Sequence, residues 1–504
     1  MNLKDIIKEL DIELYIGSLE KEISDITYDS REAMQNSLFV AIRGYSVDGH
    51  DYIDLAIKKG AIAVVCEVIP EIKVEGVTYI QVKDSRMAQG FIANKFFKEP
   101  SKRLSLIGIT GTNGKTSVVY IISRILEKWG KKTGNIGTLG NYIGENFTEA
   151  KNTTPEAIDL QRMLSQMVEQ DIEYGVMEVS SHSLSLNRVV GNNYSIGIFT
   201  NLSQDHLDFH LTKENYFQAK SKLFNLTHKA NIINGDDPYG IRLIEKLKKH
   251  RDIPTYSYGI TNKCDFLAKD IHIDNKGLSF LLEGENIKEN FRIGIPGIFS
   301  VYNAMASIIS CYIEQVPIDI IKGALKEIKA VPGRLEVVDT NTPYSVIIDY
   351  AHTPDGLENV LKTIKTFSKN RLILVFGCGG DRDKTKRPIM GEIGARYSDF
   401  VIVTSDNPRS EDPHSIIEDI LPGVEGGNCP YKIIENRREA IREALSMGKK
   451  DDIILIAGKG HETYQILKDK TIPFNEKEII KEILEEDEKN GKYDTGRSKK
   501  CSKG

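Results

Sequence analysis

The sequence predicts a three-domain α/β protein, and three observations support this fold class. The chain has 504 residues, which corresponds to about three domains of roughly 150 residues each. Short β-branched runs alternate with helical patterns over most of the length, as is typical of parallel sheets covered by helices. Helix-breaking segments at Glu99-Pro100 and at Val331-Pro332-Gly333-Arg334 divide this alternation into three parts.

The first part, residues 1–102, contains strand patterns at residues 61–65 and 79–82. The N-terminal segment MNLKDIIKELDIEL spaces its apolar residues as a helix does and carries acidic residues throughout. It has no continuous apolar region and no small-residue cleavage site, so it predicts a helix and not a signal peptide.

The second and third parts repeat the alternation of strand and helix. The second, residues 103–332, begins with a strand at 104–109 and a helix at 117–128. The third, residues 333–487, has strand patterns at 345–349, 372–376, 400–404 and 453–456. Residues 488–504 show no apolar periodicity, and we expect them to form a disordered tail.

Composition excludes several classes of protein. Hydrophobic residues make up 40% of the chain and charged residues 28%, so each part can form an ordinary core and disordered or collagen-like classes are excluded. A net charge of −5 provides no general positive field for nucleic acid or an anionic membrane. The apolar stretches are far shorter than the ~20 residues of a membrane span. Six cysteines without CxxC spacing predict free thiols in a cytoplasmic protein.

A glycine-rich loop follows the strand at 104–109 and precedes a helix. A helix N-terminus presents free N–H groups that attract phosphate, so we expect a nucleotide site here, although Ile109 stands where the strict GxxxxGK[ST] pattern has its first glycine. Its lysine would lie near the outer phosphates and its threonine hydroxyl on Mg²⁺. The alternative is a glycine-rich turn with a solvated lysine. The loop comprises Gly111, Thr112, Asn113, Gly114, Lys115, Thr116 and Ser117.

Three further polar residues stand near the ends of predicted elements. Glu178 ends the apolar run in YGVMEV, and His206 follows the apolar residues 196–199. Parallel strands gather ligands at their carboxyl ends, so these two side chains could hold a second Mg²⁺, although either alone would be an ordinary cap or a satisfied polar group. Lys220 lies on a helical stretch, and spacing alone would make it a surface lysine.

Nine motifs follow one another along the chain: GTNGKTS, EVSSH, DHLDFH, YNAMAS, PGRLE, DYAHTPD, GCGGDRDKTKRP, SDNPR and AGKGHE. In this order they closely resemble the Mur ligase family, over about Thr27 to Phe474. The resemblance implies an N-terminal UDP-binding α/β domain, a central ATPase domain with a phosphate loop and a parallel sheet, and a C-terminal domain like a dinucleotide-binding fold. It also implies an ATP-dependent amide ligase of peptidoglycan precursor synthesis.

The resemblance further implies the reaction. ATP would phosphorylate the D-Glu carboxylate of UDP-MurNAc-L-Ala-D-Glu, and the amino group of a diamino acid would attack the acyl phosphate. Phosphorylation is needed because a carboxylate is a poor electrophile and must gain a leaving group. The implied partners are small molecules, and we expect a monomer that binds no nucleic acid.

The family's catalytic residues fall on Lys115, Glu178, His206 and Lys220. By resemblance, Lys220 is carbamylated to N6-carboxylysine, which turns a cation into an anion that can face a metal. Mg²⁺ would then be held by Thr116, Glu178, His206 and Lys220. The remaining positions that match nucleotide contacts are Asn303, Arg334, Asp349 and His352.

Two groups of residues match the contacts to UDP-MurNAc-dipeptide. The uridine end would be bound by Ser30, Tyr45, Ser46 and Val47, of which the serines would otherwise be ordinary turn residues. The muramyl dipeptide would be bound by Asn152, Thr153, Thr154, Ser180 and Arg188. The sequence departs from the pattern at Leu186, where some relatives have glutamine, so this position is left out of the predicted site.

The DNPR motif matches the family's selector of the amino acid. meso-Diaminopimelate differs from lysine by a carboxylate beside its distal amine, which the Arg409 guanidinium would bind through two parallel hydrogen bonds while repelling the bare ammonium of lysine. The alternative is a proline turn with a surface arginine. The predicted diaminopimelate site comprises Arg382, Asp406, Asn407, Pro408, Arg409, Gly458 and Glu462.

Three other functions remain open from the sequence. The chain could be a sister ligase for another amino acid or a folylpolyglutamate-type synthetase, but the NTTP, EVSSH and DNPR motifs argue against both. It could also be a nucleotide-binding regulator that has lost catalysis. The presence of all four predicted catalytic residues disfavours that possibility.

Overall fold

A computed structural model describes residues 1–44, 47–250, 252–274 and 277–489. Three sheets follow one another along the chain, with five, eleven and six strands, and a two-stranded hairpin lies near the C-terminal end. The predicted three-part α/β fold is therefore confirmed. Within the described residues, none of the helices combines the length and apolar character needed to span a bilayer. The cysteines in this part of the chain are free, as predicted.

The first sheet has the order β1-β5-β4-β3-β2 and is parallel except for β1 at its edge. Its strands are β1 (Ile12–Ile16), β2 (Asp25–Thr27), β3 (Ser37–Val40), β4 (Ala61–Cys66) and β5 (Thr78–Val82). The helices are α1 (Leu3–Ile6), α2 (Ile53–Lys58) and α3 (Ser85–Phe96), with 3₁₀ turns at Gly49–Tyr52 and Pro100–Lys102.

The predicted N-terminal helix is only partly correct. The helix ends at Ile6, and Ile12–Ile16 instead forms the edge strand β1, paired antiparallel with β5. This segment reads IELYI, and its β-branched and aromatic residues suit a strand. Pairing with a distant strand satisfies its backbone groups and outweighs the local helical spacing.

The second sheet has the order β16-β15-β14-β13-β12-β11-β6-β10-β7-β8-β9, with a parallel centre and antiparallel strands at both edges. Its first strands are β6 (Ser105–Thr110), β7 (Thr133–Gly137), β8 (Gly140–Ile143), β9 (Asn146–Thr148), β10 (Tyr174–Glu178) and β11 (Tyr194–Phe199). The others are β12 (Thr227–Asn234), β13 (Thr255–Gly259), β14 (Phe266–Asp274), β15 (Gly277–Gly284) and β16 (Ile287–Ile293).

Eight α-helices accompany this sheet in the described residues: α4 (Lys115–Lys128), α5 (Ala157–Glu169), α6 (Ser181–Ser185), α7 (Leu207–His210), α8 (Lys213–Ser221), α9 (Pro238–His250), α10 (Ile298–Ile313) and α11 (Ile318–Glu327), with a 3₁₀ turn at Lys222–Asn225. The central strand β6 lies between β10 and β11. The carboxyl ends of these three strands therefore meet at one edge, where the glycine-rich loop, Glu178 and the segment leading to His206 begin.

The third sheet has the order β17-β18-β22-β19-β20-β21 and is parallel except for β17. Its strands are β17 (Glu336–Val338), β18 (Ser345–Asp349), β19 (Leu372–Phe376), β20 (Phe400–Val403), β21 (Tyr431–Ile433) and β22 (Ile453–Ala457), followed by the hairpin β23 (Tyr464–Ile466) and β24 (Thr471–Pro473). The helices are α12 (Pro354–Phe367), α13 (Lys386–Tyr397), α14 (Pro413–Glu425), α15 (Arg437–Met447) and α16 (Glu476–Lys489).

The predicted strands of the third part agree with β18, β19, β20 and β22 to within one residue at each end. The predicted tail, residues 488–504, lies outside the described residues except for its first two positions. Those two positions belong to α16, because the amphipathic helix continues to Lys489. The predicted start of the tail at residue 488 is therefore two residues too early.

Candidate active site

The glycine-rich loop joins β6 to α4 and depends on two glycines. Gly111 has φ 147° and Gly114 has φ 88°, which are conformations that other residues rarely adopt. A Cβ atom at Gly111 would also collide with Oγ1 of Thr200, and one at Gly114 with Oδ1 of Asn303. The loop is therefore held close against a neighbouring strand end and against helix α10.

The loop is supported from the end of β11. The backbone N–H of Asn113 donates to Oδ1 of Asn201 at 2.9 Å, and the backbone N–H of Thr112 donates to the Asn201 carbonyl at 2.9 Å. The Thr200 hydroxyl donates to the Asn113 carbonyl at 2.6 Å. Sequence reasoning did not identify Thr200 or Asn201, because neither belongs to the loop motif.

Lys115 is the first residue of α4, and its ammonium turns back over the loop. Its Nζ donates to the carbonyl oxygens of Gly111 at 3.0 Å and Thr112 at 2.9 Å. Burial lowers the pKa of this ammonium, whereas Glu178 and Asp205 act in the opposite direction. The charge is thus held at the helix N-terminus, where the oxygens of a phosphate could replace the two carbonyls.

Glu178, at the end of β10, is almost completely buried and faces the start of α4. Its Oε1 accepts three hydrogen bonds: from Thr116 Oγ1 at 3.0 Å, and from the Thr138 backbone N–H at 2.8 Å and Oγ1 at 2.9 Å. Within the described residues, its Oε2 has no hydrogen-bond partner. This leaves one carboxylate oxygen available beside the Thr116 hydroxyl.

His206 lies between β11 and α7 in a left-handed conformation, with φ 54°. Its Nε2 is 3.2 Å from Oδ2 of Asp205, and its ring contacts the ring of His182 edge-on. Burial lowers the pKa of His206 to about 3, so the imidazole is neutral and can act as a ligand. Although burial alone would raise the pKa of Asp205, the positive charges of Lys386 and Lys115 help to hold it well below its usual range.

Lys220 is fully buried near the end of α8, contrary to the surface position that its spacing alone would suggest. Its Nζ donates to the Gly111 carbonyl at 2.7 Å, the same oxygen that accepts from Lys115. Burial, with Lys115 nearby, lowers the pKa of the Lys220 amine well below its usual value. The two predicted catalytic lysines therefore converge on one backbone oxygen of the loop.

The remaining predicted nucleotide residues come from three elements. Asn303 on α10 contacts Gly114, as described above. Arg334 donates to the Thr116 hydroxyl at 3.1 Å and stacks on the ring of Tyr350. Asp349 accepts from the backbone N–H groups of Leu335 at 2.6 Å and Ala351 at 2.7 Å, so it braces the turn that carries Arg334.

His352 follows the same strand end as Asp349. Its Nε2 is 4.0 Å from Oδ2 of Asp205, and burial lowers its pKa to about 4. Asp205 therefore lies between two imidazoles, one from the second part of the chain and one from the third. Asp205 was missed by sequence reasoning, although it immediately precedes His206.

The predicted substrate residues are only partly brought together. The Thr154 hydroxyl donates to the Glu178 carbonyl at 2.8 Å and accepts from the Ser180 N–H at 3.1 Å. Arg188 donates to the Thr154 carbonyl at 3.2 Å and pairs with Glu156 at 2.7 Å. Asn152 and Thr153 line the same cavity. Ser30 and Val47 do not line this cavity, and Tyr45 and Ser46 lie outside the described residues.

The predicted diaminopimelate residues form a connected group at the end of β20. Arg409 donates to the Gly380 carbonyl at 2.8 Å, and burial, with Arg382 nearby, lowers its pKa. Asn407 donates to Glu462 Oε2 at 2.9 Å, and its own Oδ1 accepts from the buried Lys459 at 3.0 Å. Lys459 was not predicted, and no signal in the DNPR motif identifies it.

Gly458 and Arg382 also belong to this group. Gly458 has φ 120°, and a Cβ atom there would lie 2.5 Å from Oδ2 of Asp406. Arg382 is exposed and donates to the Asp381 carbonyl at 2.9 Å. Pro408 is the only one of the predicted diaminopimelate residues that does not line the cavity.

These groups face one cavity of about 680 Å³ between the second and third sheets. One side, here called the phosphate-loop wall, comprises residues 112–117, Glu178, His206 and Lys220. The opposite side, the third-sheet wall, comprises Arg382, Asp406, Asn407, Arg409, Gly458 and Glu462. Lining residues that sequence reasoning missed include Thr138, His182, Asp205, Asp236, Tyr350 and Lys386.

Three family models match the chain in succession: the catalytic domain of the Mur ligase family at residues 22–97, the Mur ligase middle domain at 109–311, and the Mur ligase glutamate ligase domain at 333–460. A protein of Clostridium acetobutylicum named UDP-N-acetylmuramoyl-L-alanyl-D-glutamate--2,6-diaminopimelate ligase 1 is 51% identical over 488 residues, which cover 96% of this chain and 100% of that protein. A ligase of the same name without the numeral, from Caldanaerobacter subterraneus, is 49% identical over 97% of this chain and 100% of its own length.

Solved structures are similar over almost the whole chain. A structure of UDP-N-acetylmuramoyl-L-alanyl-D-glutamate--2,6-diaminopimelate ligase superposes with a TM-score of 0.69 at 30% identity, covering 97% of this chain and 99% of that one. The ADP complex of MurF ligase from Thermotoga maritima has a TM-score of 0.61 at 19% identity, covering 93% and 98%, and shows the fold alone. Three Mur ligase family models match this chain in succession, and a relative is 51% identical over 96% of it. This chain therefore belongs to the Mur ligase family.

Proposed function

We propose that this protein is an ATP-dependent ligase that joins meso-diaminopimelate to the D-Glu carboxylate of UDP-N-acetylmuramoyl-L-Ala-D-Glu. The observation that carries the proposal is the single cavity with a phosphate loop on one side and the Arg409 group on the other. The relatives with this name, at 51% and 49% identity, support the same substrates. The product would be a precursor of peptidoglycan.

The reaction has two steps. A D-Glu carboxylate oxygen forms a bond to the γ-phosphorus of ATP as the bond to the β–γ bridging oxygen breaks, giving an acyl phosphate and ADP. The diaminopimelate amine then attacks the acyl carbon, phosphate leaves, and the nitrogen loses a proton to give the amide. Lys115 and Arg334 supply positive charge beside the phosphate loop, where they stabilise the charge on the transferring oxygens.

The residues beside the loop fit Mg²⁺. The free Oε2 of Glu178 and the adjacent Thr116 hydroxyl are hard oxygen donors, and Mg²⁺ usually combines one or two carboxylates with phosphate and water ligands. Within the described residues no group of three or more His, Cys, Asp or Glu side chains is placed to hold a metal ion by itself, so phosphate and water would supply the remaining ligands. We assign Thr116, Glu178, His206 and Lys220 as the residues that would hold the ion, which when bound would offset phosphate charge.

Lys220 would serve in its carbamylated form. Its amine is buried against the loop, where a permanent ammonium beside Lys115 and a metal would be unfavourable. A carbamate at this position replaces that positive charge with an oxygen donor. The resemblance to the family and the burial of Lys220 both support this modification.

The UDP-sugar would extend from the cavity toward the first sheet. Asn152, Thr153, Thr154, Ser180 and Arg188 would contact the muramyl dipeptide. Ser30, Tyr45, Ser46 and Val47 would contact the uridine end. We also propose that these tasks fall to separate domains at residues 1–102, 103–332 and 333–487. We further propose that the protein acts as a monomer in the cytoplasm, where ATP and nucleotide sugars are present.

The decisive experiment supplies ATP, Mg²⁺ and UDP-MurNAc-L-Ala-D-Glu together with one amino acid at a time. ADP release should depend on both the nucleotide dipeptide and meso-diaminopimelate, and mass spectrometry should show the amide product. Release that depends on another amino acid would indicate a sister ligase. ATP binding without any release would indicate a regulator that lacks catalysis.

A further inference from the structure

Three basic residues near the start of α13, in the motif GCGGDRDKTKRP, have very different surroundings. The Lys384 side chain is 66% exposed and pairs with Glu411 at 3.0 Å. Arg387 is fully buried and donates to Glu411, to Asp419 and to the Gly379 carbonyl. Both residues therefore have evident structural partners.

Lys386 differs from both neighbours. Its side chain is only 5% exposed, and it lines the cavity. Its nearest carboxylate oxygen is Asp205 Oδ1, at 3.7 Å, which is too far for a hydrogen bond. Within the described residues its ammonium makes no hydrogen bond, although it carries three donors. An ammonium that borders the cavity without a protein acceptor is available to bind the oxygens of a ligand there.

Asp205 pairs with Lys386 at 3.7 Å but forms no hydrogen bond with it. The same carboxylate lies 3.2 Å from His206 Nε2 and 4.0 Å from His352 Nε2. Its hydrogen bond from a backbone N–H comes from His206, at 3.0 Å. Asp205 thus orients Lys386 without saturating its donors.

Lys386 reaches this place because the second and third parts of the chain dock through consecutive residues. Gln204 Nε2 donates to Thr385 Oγ1 at 3.1 Å, and the next residue on each side forms the Asp205–Lys386 pair. The segment after β11 therefore meets the N-terminus of α13. This contact brings a cation of the third sheet next to the His206 side of the phosphate-loop wall.

We propose that Lys386 is an additional catalytic residue whose ammonium contacts the oxygens of the phosphoryl group as it moves from ATP to the D-Glu carboxylate. The assignment rests on the proposed function. During the transfer the bond to the bridging oxygen breaks with its electron pair going to ADP, and a carboxylate oxygen supplies the pair for the new bond. Lys386 keeps its proton and stabilises the equatorial oxygens, complementing Lys115.

This placement has a mechanistic consequence. Lys115 belongs to the second part of the chain, whereas Lys386 belongs to the third, which also carries the Arg409 group. Phosphoryl transfer therefore becomes fast only when the third part is docked. The acyl phosphate then forms where the amine will attack it.

The test measures positional isotope exchange in ATP labelled at the β–γ bridging oxygen, with Mg²⁺ and UDP-MurNAc-L-Ala-D-Glu but without diaminopimelate. This exchange reports phosphoryl transfer alone. We expect Lys386→Met to lower its rate at least about 100-fold, in the range seen when one stabilising donor is removed. Lys386→Arg, which keeps the charge, should recover part of the rate. The matched control Lys384→Met should stay within about twofold of wild type.

A second variant separates catalysis from docking. Gln204→Ala removes the neighbouring cross-part hydrogen bond but leaves the Lys386 charge, so exchange should fall only a few-fold. Wild-type exchange in Lys386→Met would overturn the assignment, as would a Gln204→Ala variant impaired as severely as Lys386→Met. The assignment is supported if wild type and the control variants exchange and Lys386→Met does not. A wild-type protein that neither exchanges nor ligates would instead refute the proposed function, and this assignment with it.

Discussion

The two walls of the cavity are built in different ways. The phosphate-loop wall takes its central groups from one continuous segment, residues 112–117, between β6 and α4. The third-sheet wall assembles Arg382, Asp406, Asn407, Arg409, Gly458 and Glu462 from the ends of three separate strands. The first wall would act on ATP and a carboxylate, which any ligase of this kind must use. The second would choose the amino acid, so damage to the two walls should have different consequences.

The largest effect should follow from Lys115→Ala in the phosphate-loop wall. We expect ADP release to fall by at least about 1,000-fold, because the variant loses the charge closest to the loop carbonyls. The fold should survive, since alanine is favourable in a helix. The matched control is Lys128→Ala at the exposed end of the same helix, which pairs with Glu327. Substantial turnover in a folded Lys115→Ala protein would contradict the assignment of the loop.

Lys220→Ala tests the same wall through its second lysine. We expect a loss of at least about 100-fold in ADP release, partly reversed by millimolar acetate, because a small carboxylate can occupy the place of the carbamate. Restoration also shows that the variant is folded. Lys222→Ala provides the control, since this side chain is exposed two residues further along. A fully active Lys220→Ala enzyme would show that no carbamate is needed.

Arg409→Ala probes the third-sheet wall and should affect one substrate only. A charge-assisted bidentate pair contributes about 2–3 kcal/mol to binding of meso-diaminopimelate, and Arg409 also repels the ammonium of lysine. Wild type should therefore prefer meso-diaminopimelate over L-lysine at least about 100-fold in kcat/KM. The variant should lose most activity with diaminopimelate while its use of lysine changes little or rises slightly. Arg396→Ala, on the surface of α13, is the control. A wild-type preference for lysine would refute the assignment.

The contrast between a continuous segment and residues gathered from separate strands also explains which features the sequence could predict. The strand, glycine loop and helix are local, so the sequence predicts both their positions and the residues 111–117. The strands of the third part are continuous apolar runs and were also predicted closely. By contrast, β1 depends on pairing with a distant strand, and its local spacing indicated a helix instead.

Residues that act through long-range contacts were missed. Asn201 and Thr200 hold the loop from another strand, Lys459 reaches Asn407 across 52 positions, and Lys386 meets Asp205 across two parts of the chain. None belongs to a motif whose spacing reveals its partner. Burial separates them from surface residues of the same type, and burial depends on the assembled fold.

The smallest effect should come from Glu411→Gln, which weakens the support of the third-sheet wall without touching the cavity. Glu411 accepts two hydrogen bonds from the buried Arg387 and one from the Asp381 backbone at 2.6 Å, so it fixes the loop that carries Arg382.

The hydrogen bonds from Arg387 lower the pKa of Glu411 from 4.5 to about 2. Its stabilising contribution is therefore complete above pH 4.5 and disappears as the pH falls toward 2. At pH 7 we expect the variant to lose about 1–3 kcal/mol of unfolding free energy, with little change in ADP release. Chemical denaturation at several pH values should show that this difference in unfolding free energy narrows as the pH falls from about 4.5 to about 2. Glu418 is exposed on α14, so Glu418→Gln should have almost the same unfolding free energy as wild type. If the loss of unfolding free energy in Glu411→Gln stayed constant with pH, this would contradict the ionic origin of the support.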